Sequence, residues 1–297
     1  MSGESGAIQM ILCVILHYGS EDVTWECVES VIDNEHLDVL IVDNDPAQRI
    51  AVPDRYVEKV RIVRTGGIAG FAAANNLAVD HGRNDSHDSV LLLNNDTVVL
   101  SDAIAKLRGL LAEDKVGAVG PCMPYASDPQ KIWACGGVII KHKANCHGID
   151  EAIGSKPIDV DYLPGAAILC KLAVWDLVGG LPEKYFLAYE EAEFAIEVRA
   201  RGYRVMVHPD ARILHKVGMS SDTQPMYLYN QYRSRLRFGG VLWGKYAGFV
   251  VAAFWCLRGS MRSFRSLSIW VRALADEVSG VPLDRASLQK IKLLYEK

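Results

Sequence analysis

Residues 90–97 read Val-Leu-Leu-Leu-Asn-Asn-Asp-Thr, four apolar side chains followed at once by three amides and acids. A run that is apolar at every position, not at alternate ones, suits a strand covered on both faces, as in a parallel sheet. Such sheets bind ligands beyond the carboxyl ends of their strands. The polar end of this run therefore puts Asn94, Asn95 and Asp96 where a ligand is expected.

The same pattern recurs on either side of it. Residues 11–16, 39–42, 60–63 and 116–119 read as further buried strands, and 23–32, 71–79 and 103–111 as helices between them. Strand and helix alternating in this way predict an α/β fold, a mostly parallel sheet with helices on both faces. Two other strands also end in polar or glycine-rich sequence: Asp43-Asn44-Asp45 follows the second, and Gly66-Gly67-Ile68-Ala69-Gly70 follows the third, leading to Asn75 and Asn76. Chemistry from three strands thus converges on one edge. The glycines do not have the Gly-x-Gly-x-x-Gly spacing of a dinucleotide site, and no P-loop sequence occurs.

The later sequence changes character. Residues 131–141 read as two strands paired about Gly136-Gly137, and Leu163-Pro164-Gly165 leads into an apolar run. Glu190, Glu191 and Glu193 open a helix closed by Gly202, and two short strands, 204–207 and 212–214, end at His215. The predicted organisation is one catalytic-size body over 1–220, with halves at about 1–120 and 121–220, and a helical extension over 221–297.

With 297 residues, half of them hydrophobic, and a net charge of -4, the chain is neither disordered nor a dedicated nucleic-acid binder. Seven scattered cysteines without Cys-x-x-Cys suit reduced thiols in the cytoplasm. The first residues lack the basic region of a secretory leader, and no apolar run is long enough to span a bilayer. The charge is unevenly spread. Between Thr223 and Ala275 there is no acid, only seven arginines and one lysine, so that segment carries +8 and the rest -12. Trp243, Phe249, Phe254, Trp255 and Trp270 lie in the same segment. Basic and aromatic residues together suit an interfacial helix on an anionic membrane, a helical pair packed on the body, or a contact between two copies of the chain.

Individual residues leave alternatives open. Asp96 suits a divalent cation on a diphosphate, or a turn. The glutamates suit a general base, or a helix start favoured by the macrodipole. His215 suits a structural role, or a second metal ligand beside Asp96. Arg233, with Arg235 and Arg237, suits phosphate contact or a solvated basic helix.

Taken together and in order, these pieces resemble the family-2 inverting glycosyltransferases of the GT-A (Rossmann-like) fold, in particular their rhamnosyltransferase-like branch. The matching residues are Val14 to Tyr18, Val42-Asp43-Asn44, Gly70-Phe71 with Asn75-Asn76, Leu92 to Asp96, Leu163 to Ala167, Gly179 to Phe186, Tyr189 to Glu193, His215 and Tyr229 to Arg233. The resemblance implies transfer of a sugar, perhaps rhamnose, from a dTDP- or UDP-sugar to a saccharide or lipid-linked acceptor. It implies nucleotide-sugar contacts from Leu16, His17, Tyr18, Asp43, Asn44, Gly70, Asn75, Asn94, Asn95, Asp96 and Arg233. It implies Mn2+ or Mg2+ on Asp96 and His215, Glu191 or Glu190 as the base, and an acceptor site including Gly165, Glu190 and Trp133, within an acceptor-side loop over 133–147. A cytoplasmic enzyme, peripheral at the inner face of the membrane, follows. Alternatives are a UDP-hexose or UDP-galactofuranose donor, or an inactive relative that binds nucleotide sugar or glycan. The sequence departs from the family by having Glu-Glu for Glu-Asp, one carboxylate at the Asp-x-Asp position, and no asparagine before Gly70-Phe71.

Overall fold

The computed structural model describes residues 10–151, 153–217, 224–261, 263–282, 291 and 294. Residues 1–9 and Arg262, which entered the leader and tail readings, lie outside the described residues. The first half follows the predicted alternation: β1 (Met10–His17), α1 (Glu21–Glu29), β2 (Leu37–Asp43), β3 (Val60–Arg64), α2 (Phe71–Gly82), β4 (His87–Asn94), β5 (Thr97–Val99), α3 (Ala103–Leu111) and β6 (Val116–Tyr125). The second half holds β7 (Asp128–Ala134), β8 (Gly137–Ile140), β9 (Asn145–Gly148), β10 (Ile158–Asp159), β11 (Ala167–Lys171), α4 (Leu172–Val178), α5 (Glu190–Ala200) and β12 (Arg204–His215). Three helices follow: α6 (Gln224–Trp243), α7 (Lys245–Ser260) and α8 (Phe264–Val278).

Among the described residues the main sheet has ten strands, in the order β10-β12-β6-β11-β4-β1-β2-β3, with β5 on β12 and β7 on β6. β1 to β4 are parallel, as are β6 and β12, and β11 runs antiparallel between β4 and β6. Alternate residues of β1 enter separate cores. Leu12 and Val14 pack with α2, α4 and α5 on one face, and Ile11, Cys13 and Ile15 pack with α1 and α3 on the other. Burial on both sides is why these strands read as unbroken apolar runs.

Three expectations are corrected. The strands within 131–141 are not partners of each other: β7 pairs with β6, and β8 pairs with β9. The two short strands before His215 are one, β12, whose register on β6 shifts between His208 and Arg212. Pro209 stands in that interval and has no N–H for the ladder, which is why the sequence reads as a break. Of the seven cysteines, Cys122 and Cys135 form a disulfide, and the other five are free.

The C-terminal helices pack on the body. Phe238 is wholly buried in the main core against Tyr189, and α6 and α7 meet backbone to backbone at Gly239 and Gly248, where a Cβ on either would collide with the other's main chain. Much of the +8 is absorbed internally. The residues 229, 233 and 237, spaced by one helical turn, face α8, where Asp276 and Glu277 end the acid-free stretch.

Arg233 therefore does not stand at a diphosphate. Its guanidinium is fully buried, donating to Glu277 at 2.8 Å, to the Tyr229 hydroxyl at 3.1 Å and to the Val281 carbonyl at 2.6 Å. Removing one partner of such a pair leaves an uncompensated charge in the interior. Arg233→Ala is expected to lower unfolding free energy by about 3 kcal/mol, read by urea titration. The folded fraction is expected to keep its affinity for nucleoside diphosphate, and a selective loss of that affinity would return Arg233 to the ligand site.

Candidate active site

The register of the parallel strands assembles the polar edge. His17 is opposite Asp43 at the ends of β1 and β2, and Leu16 is opposite Asn94 at the ends of β1 and β4. Within this edge most polar groups tie the loops together. His17 is buried between the Thr24 hydroxyl at 2.7 Å and the Gln48 carbonyl at 3.0 Å. Asn95 donates to the Tyr18 carbonyl and to Thr24, fixing the loop after β1 against the loop after β4. Asn44 clasps the glycine segment, with Nδ2 donating to the Ala69 carbonyl and Oδ1 accepting from the Ala69 N–H and the Thr65 hydroxyl.

Asp43 is 3 % exposed, with Arg64 at 3.3 Å and Arg49 at 4.0 Å from one carboxylate oxygen. The other oxygen accepts from the Asp45 N–H.

Gly70 is required by close approach. A Cβ there would lie 3.0 Å from the backbone of Phe186, whose carbonyl accepts from the Phe71 N–H. Asn75 lies on the buried side of α2, its Nδ2 bonded to the Phe71 carbonyl. Its neighbour Asn76 holds the loop before α5 by bonds to Leu181 and Glu183.

Asp96 and His215 come together through strand pairing. β5 runs antiparallel to β12, so Thr97 faces His215, and the Lys216 N–H donates to the Asp96 carbonyl. The His215 Nε2 stands 3.2 Å from Asp96 Oδ1, with both side chains nearly buried. Two adjacent ligands of one octahedral ion with bonds of about 2.2 Å stand about 3.1 Å apart, so the pair fits a manganese- or magnesium-sized ion. No group of three or more His, Cys, Asp or Glu side chains that could hold a metal occurs among the described residues. Further oxygens would have to come from a bound diphosphate or water.

The glutamates occupy the start of α5. Ala188 and Tyr189 precede it at φ of 70° and 74°, a conformation uncommon outside glycine and typical of sites where geometry is set by need, not by local preference. Glu190 is buried and Glu191 half-buried, each with an oxygen that has no hydrogen-bond partner. Loss of hydration pushes both carboxyls up, Glu191 to about 7, and for Glu190 the neighbouring carboxylate adds to the effect of burial. Backbone N–H groups at the helix start offset this in part. Glu193, the third acid, is taken up by Lys184 at 2.8 Å and by the Tyr185 hydroxyl.

Glu191, not Glu190, lines a cavity of about 310 Å³. Trp133 and Gly165 line it too, and Glu190 does not. The Trp133 ring also stands 4.2 Å from that of His215, so one indole separates the carboxylate cavity from the Asp96–His215 pair. Asn145 and Cys146, within the 133–147 loop expected on the acceptor side, also line it, as do Tyr162, Tyr227 and Gln231, which were not singled out from sequence. For Tyr227 and Gln231 a signal existed: with Arg235 they recur every four residues, a helix face separate from that of Tyr229, Arg233 and Arg237.

The family description "Glycosyltransferase like family 2" matches residues 9–237. The dTDP-rhamnosyl transferase RfbF of Shigella flexneri is 21% identical over 213 residues, 71% of this chain and 70% of its own. The N-acetylglucosaminyl-diphospho-decaprenol L-rhamnosyltransferase of Mycobacterium tuberculosis is 25% identical over 260 residues, 78% and 83% of the two chains. In fold, the chain resembles a mannosyltransferase of Pyrobaculum calidifontis solved with GDP-Man and Mn2+, with a TM-score of 0.57, 17% identity, and coverage of 96% of this chain and 79% of the other. It likewise resembles residues 1–349 of S. aureus TarS in complex with UDP-GlcNAc, with a TM-score of 0.59, 15% identity, and coverage of 92% and 82%. With a family match over most of its length and the mixed, mostly parallel GT-A sheet beneath it, the chain belongs to the family-2 glycosyltransferases.

Proposed function

We propose that this glycosyltransferase moves rhamnose from dTDP-rhamnose to a hydroxyl of a glycan or lipid-linked saccharide, with inversion at the anomeric carbon. The observation that carries the mechanism is Glu191: a half-buried carboxylate, its carboxyl raised to about 7, opening into a cavity one indole away from the Asp96–His215 pair. The donor follows from the names of the rhamnosyltransferase relatives. The nucleotide lies against the strand ends, with Asp43 toward base and ribose, and with Leu16, Tyr18, Asn94 and Asn95 shaping the floor.

In the proposed reaction, Glu191 accepts the proton of the acceptor hydroxyl as that oxygen bonds to the anomeric carbon. The carbon–oxygen bond to the diphosphate breaks on the opposite face, and its electron pair leaves with the nucleotide. A carboxylate titrating near 7 is a stronger base than an exposed one yet is still largely ionised at slightly alkaline pH. Glu190 lies beside it but does not line the cavity, so Glu191 is the member of the pair placed to meet an acceptor. Asp96 and His215 would hold a Mn2+ or Mg2+ ion, which supplies Lewis-acid neutralisation of the leaving diphosphate.

The tail offers a membrane contact. On α7, Tyr246, Val250 and Phe254 are exposed at one-turn intervals, with Lys245 and Arg258 on the same helix and Phe264 exposed at the start of α8. No helix among the described residues is long and apolar enough to cross a membrane. An apolar row with flanking cations suits the surface of an anionic leaflet, where a lipid-linked acceptor would reside.

Four outcomes test this reading. Glu191→Gln is expected to lower kcat by about 10² to 10⁴-fold while leaving dTDP binding intact. In the parent, kcat/KM is expected to rise with pH through a midpoint near 7, because the base acts only when deprotonated and its carboxyl is raised to about that value. A binding protein without transfer would have no such profile. Asp96→Ala or His215→Ala is expected to abolish the manganese-dependent rise in melting temperature caused by dTDP, and parent-like shifts in both would remove the metal assignment. Sedimentation with anionic vesicles is expected to fall with added salt and with Phe254→Ser, and indifference to both would exclude the membrane contact.

A further inference from the structure

We propose that the C-terminal helices set the position of the acceptor wall, and that Arg235, Trp243 and Trp255 are positioning residues for acceptor binding that act through the β8–β9 hairpin. The inference rests on reading the Glu191 cavity as the acceptor site.

The hairpin stands apart from the main sheet as a two-stranded ribbon, with residues 141–144 at its tip. Four successive carbonyls at that tip each accept from a side chain of the tail. Trp243 Nε1 donates to Lys141 at 3.0 Å, and Trp255 Nε1 to His142 at 3.0 Å. The Arg235 fork spans the next two, with Nη2 to Lys143 at 2.6 Å and Nε to Ala144 at 3.0 Å. A surface turn can leave such carbonyls to water, so four dedicated donors from two helices mark a turn held in one place. Ala144 reinforces this. It sits in the left-handed region, at φ 46° and ψ 52°, and is wholly buried in a cluster with Leu236 and Ala252 of the tail.

The strand that leaves this tip, β9, is cavity wall. Asn145, Cys146 and Gly148 of β9 line it, and Asn145 Oδ1 accepts from the Tyr189 hydroxyl at 2.7 Å. Tyr189 is the strained residue immediately before the two glutamates. A continuous path therefore joins the tail donors to the hairpin tip, to Asn145, to Tyr189 and to the base. The face of α6 that carries Tyr227 and Gln231 into the cavity carries Arg235 to the hairpin one turn later. A displacement of the tail would shift the acceptor wall relative to Glu191, and misplacement by about 1 Å can cost about a hundredfold in rate.

The test uses the full chain and three substitutions. Trp243→Phe with Trp255→Phe removes two N–H donors while keeping the rings, Arg235→Lys keeps the charge but loses the fork, and Tyr189→Phe cuts the link to Asn145. The first readout needs no substrate: the rate at which N-ethylmaleimide labels Cys146, followed by peptide mass spectrometry. Cys146 is the one free cysteine that is only partly buried. Its labelling is expected to accelerate about tenfold in the double tryptophan variant and in Arg235→Lys, with the melting temperature close to that of the parent. The second readout is steady-state transfer from dTDP-rhamnose to N-acetylglucosaminyl diphosphate on a short prenol. Acceptor KM is expected to rise about tenfold in all three variants, while donor KM and dTDP affinity stay within about twofold.

Unchanged labelling together with unchanged acceptor KM would overturn the proposal. So would a parallel loss of dTDP affinity, which is what a general loosening of the fold would produce. If the double variant does not fold, Trp255→Phe alone and Arg235→Lys decide. Faster labelling in a protein whose Glu191→Gln form still transfers sugar would remove the acceptor role of the cavity. Parent-like labelling with an inactive Glu191→Gln would remove the clamp and leave the active-site reading standing.

Discussion

A sheet buried on both faces leaves polar chemistry only one place to go, and that constraint organises this molecule. The strands from β1 to β4 bury apolar residues in two separate cores, so neither face can carry a ligand. Their carboxyl ends are the first positions where a charged side chain can be solvated or paired. His17, Asp43, Asn94 and Asp96 all occur there. Of these and their neighbours, His17, Asn44 and Asn95 fasten one loop to the next.

The second half supplies what a parallel sheet cannot. β12 is long enough to support β6 along its first part and to pair with β5 at its end, and that last pairing brings His215 to Asp96 across more than a hundred residues of sequence. The start of α5 carries two adjacent carboxylates inside the protein, preceded by two residues in the left-handed region. Both features oppose stability: buried acids lose hydration, and the backbone is strained. They persist because the surrounding packing over-determines the loop. Asn76 holds its beginning, Tyr185 and Lys184 are tied to Glu193, and Tyr189 is bonded to Asn145 and packed on Phe238.

The tail shows how composition can mislead about individual residues while pointing to the right segment. A run of 53 residues without an acid reads as a free basic surface. In the fold, two acids just beyond that run and a series of backbone carbonyls accept much of its hydrogen-bonding capacity. Arginine suits this task, since its planar fork can satisfy two acceptors at once. What remains outward is an apolar row on α7, Tyr246, Val250 and Phe254, together with the exposed Arg258, Arg265 and Arg272.

Apart from the pairing of Asp96 with His215, which only the family resemblance implied, the sequence by itself determined the alternation of strands and helices and the edge on which the polar residues collect. These are legible because two-sided burial, turn chemistry and helix starts are local patterns of adjacent residues. Only the tertiary structure decided which glutamate faces the cavity, since Glu190 and Glu191 are equivalent in composition and differ by the 100° that a helix turns per residue. It also decided that Arg233 is an interior ion pair, that Cys122 meets Cys135, and that β8 pairs with β9 instead of β7. Each of these depends on contacts between segments distant in sequence, and no local pattern of side chains encodes which distant partner will be met.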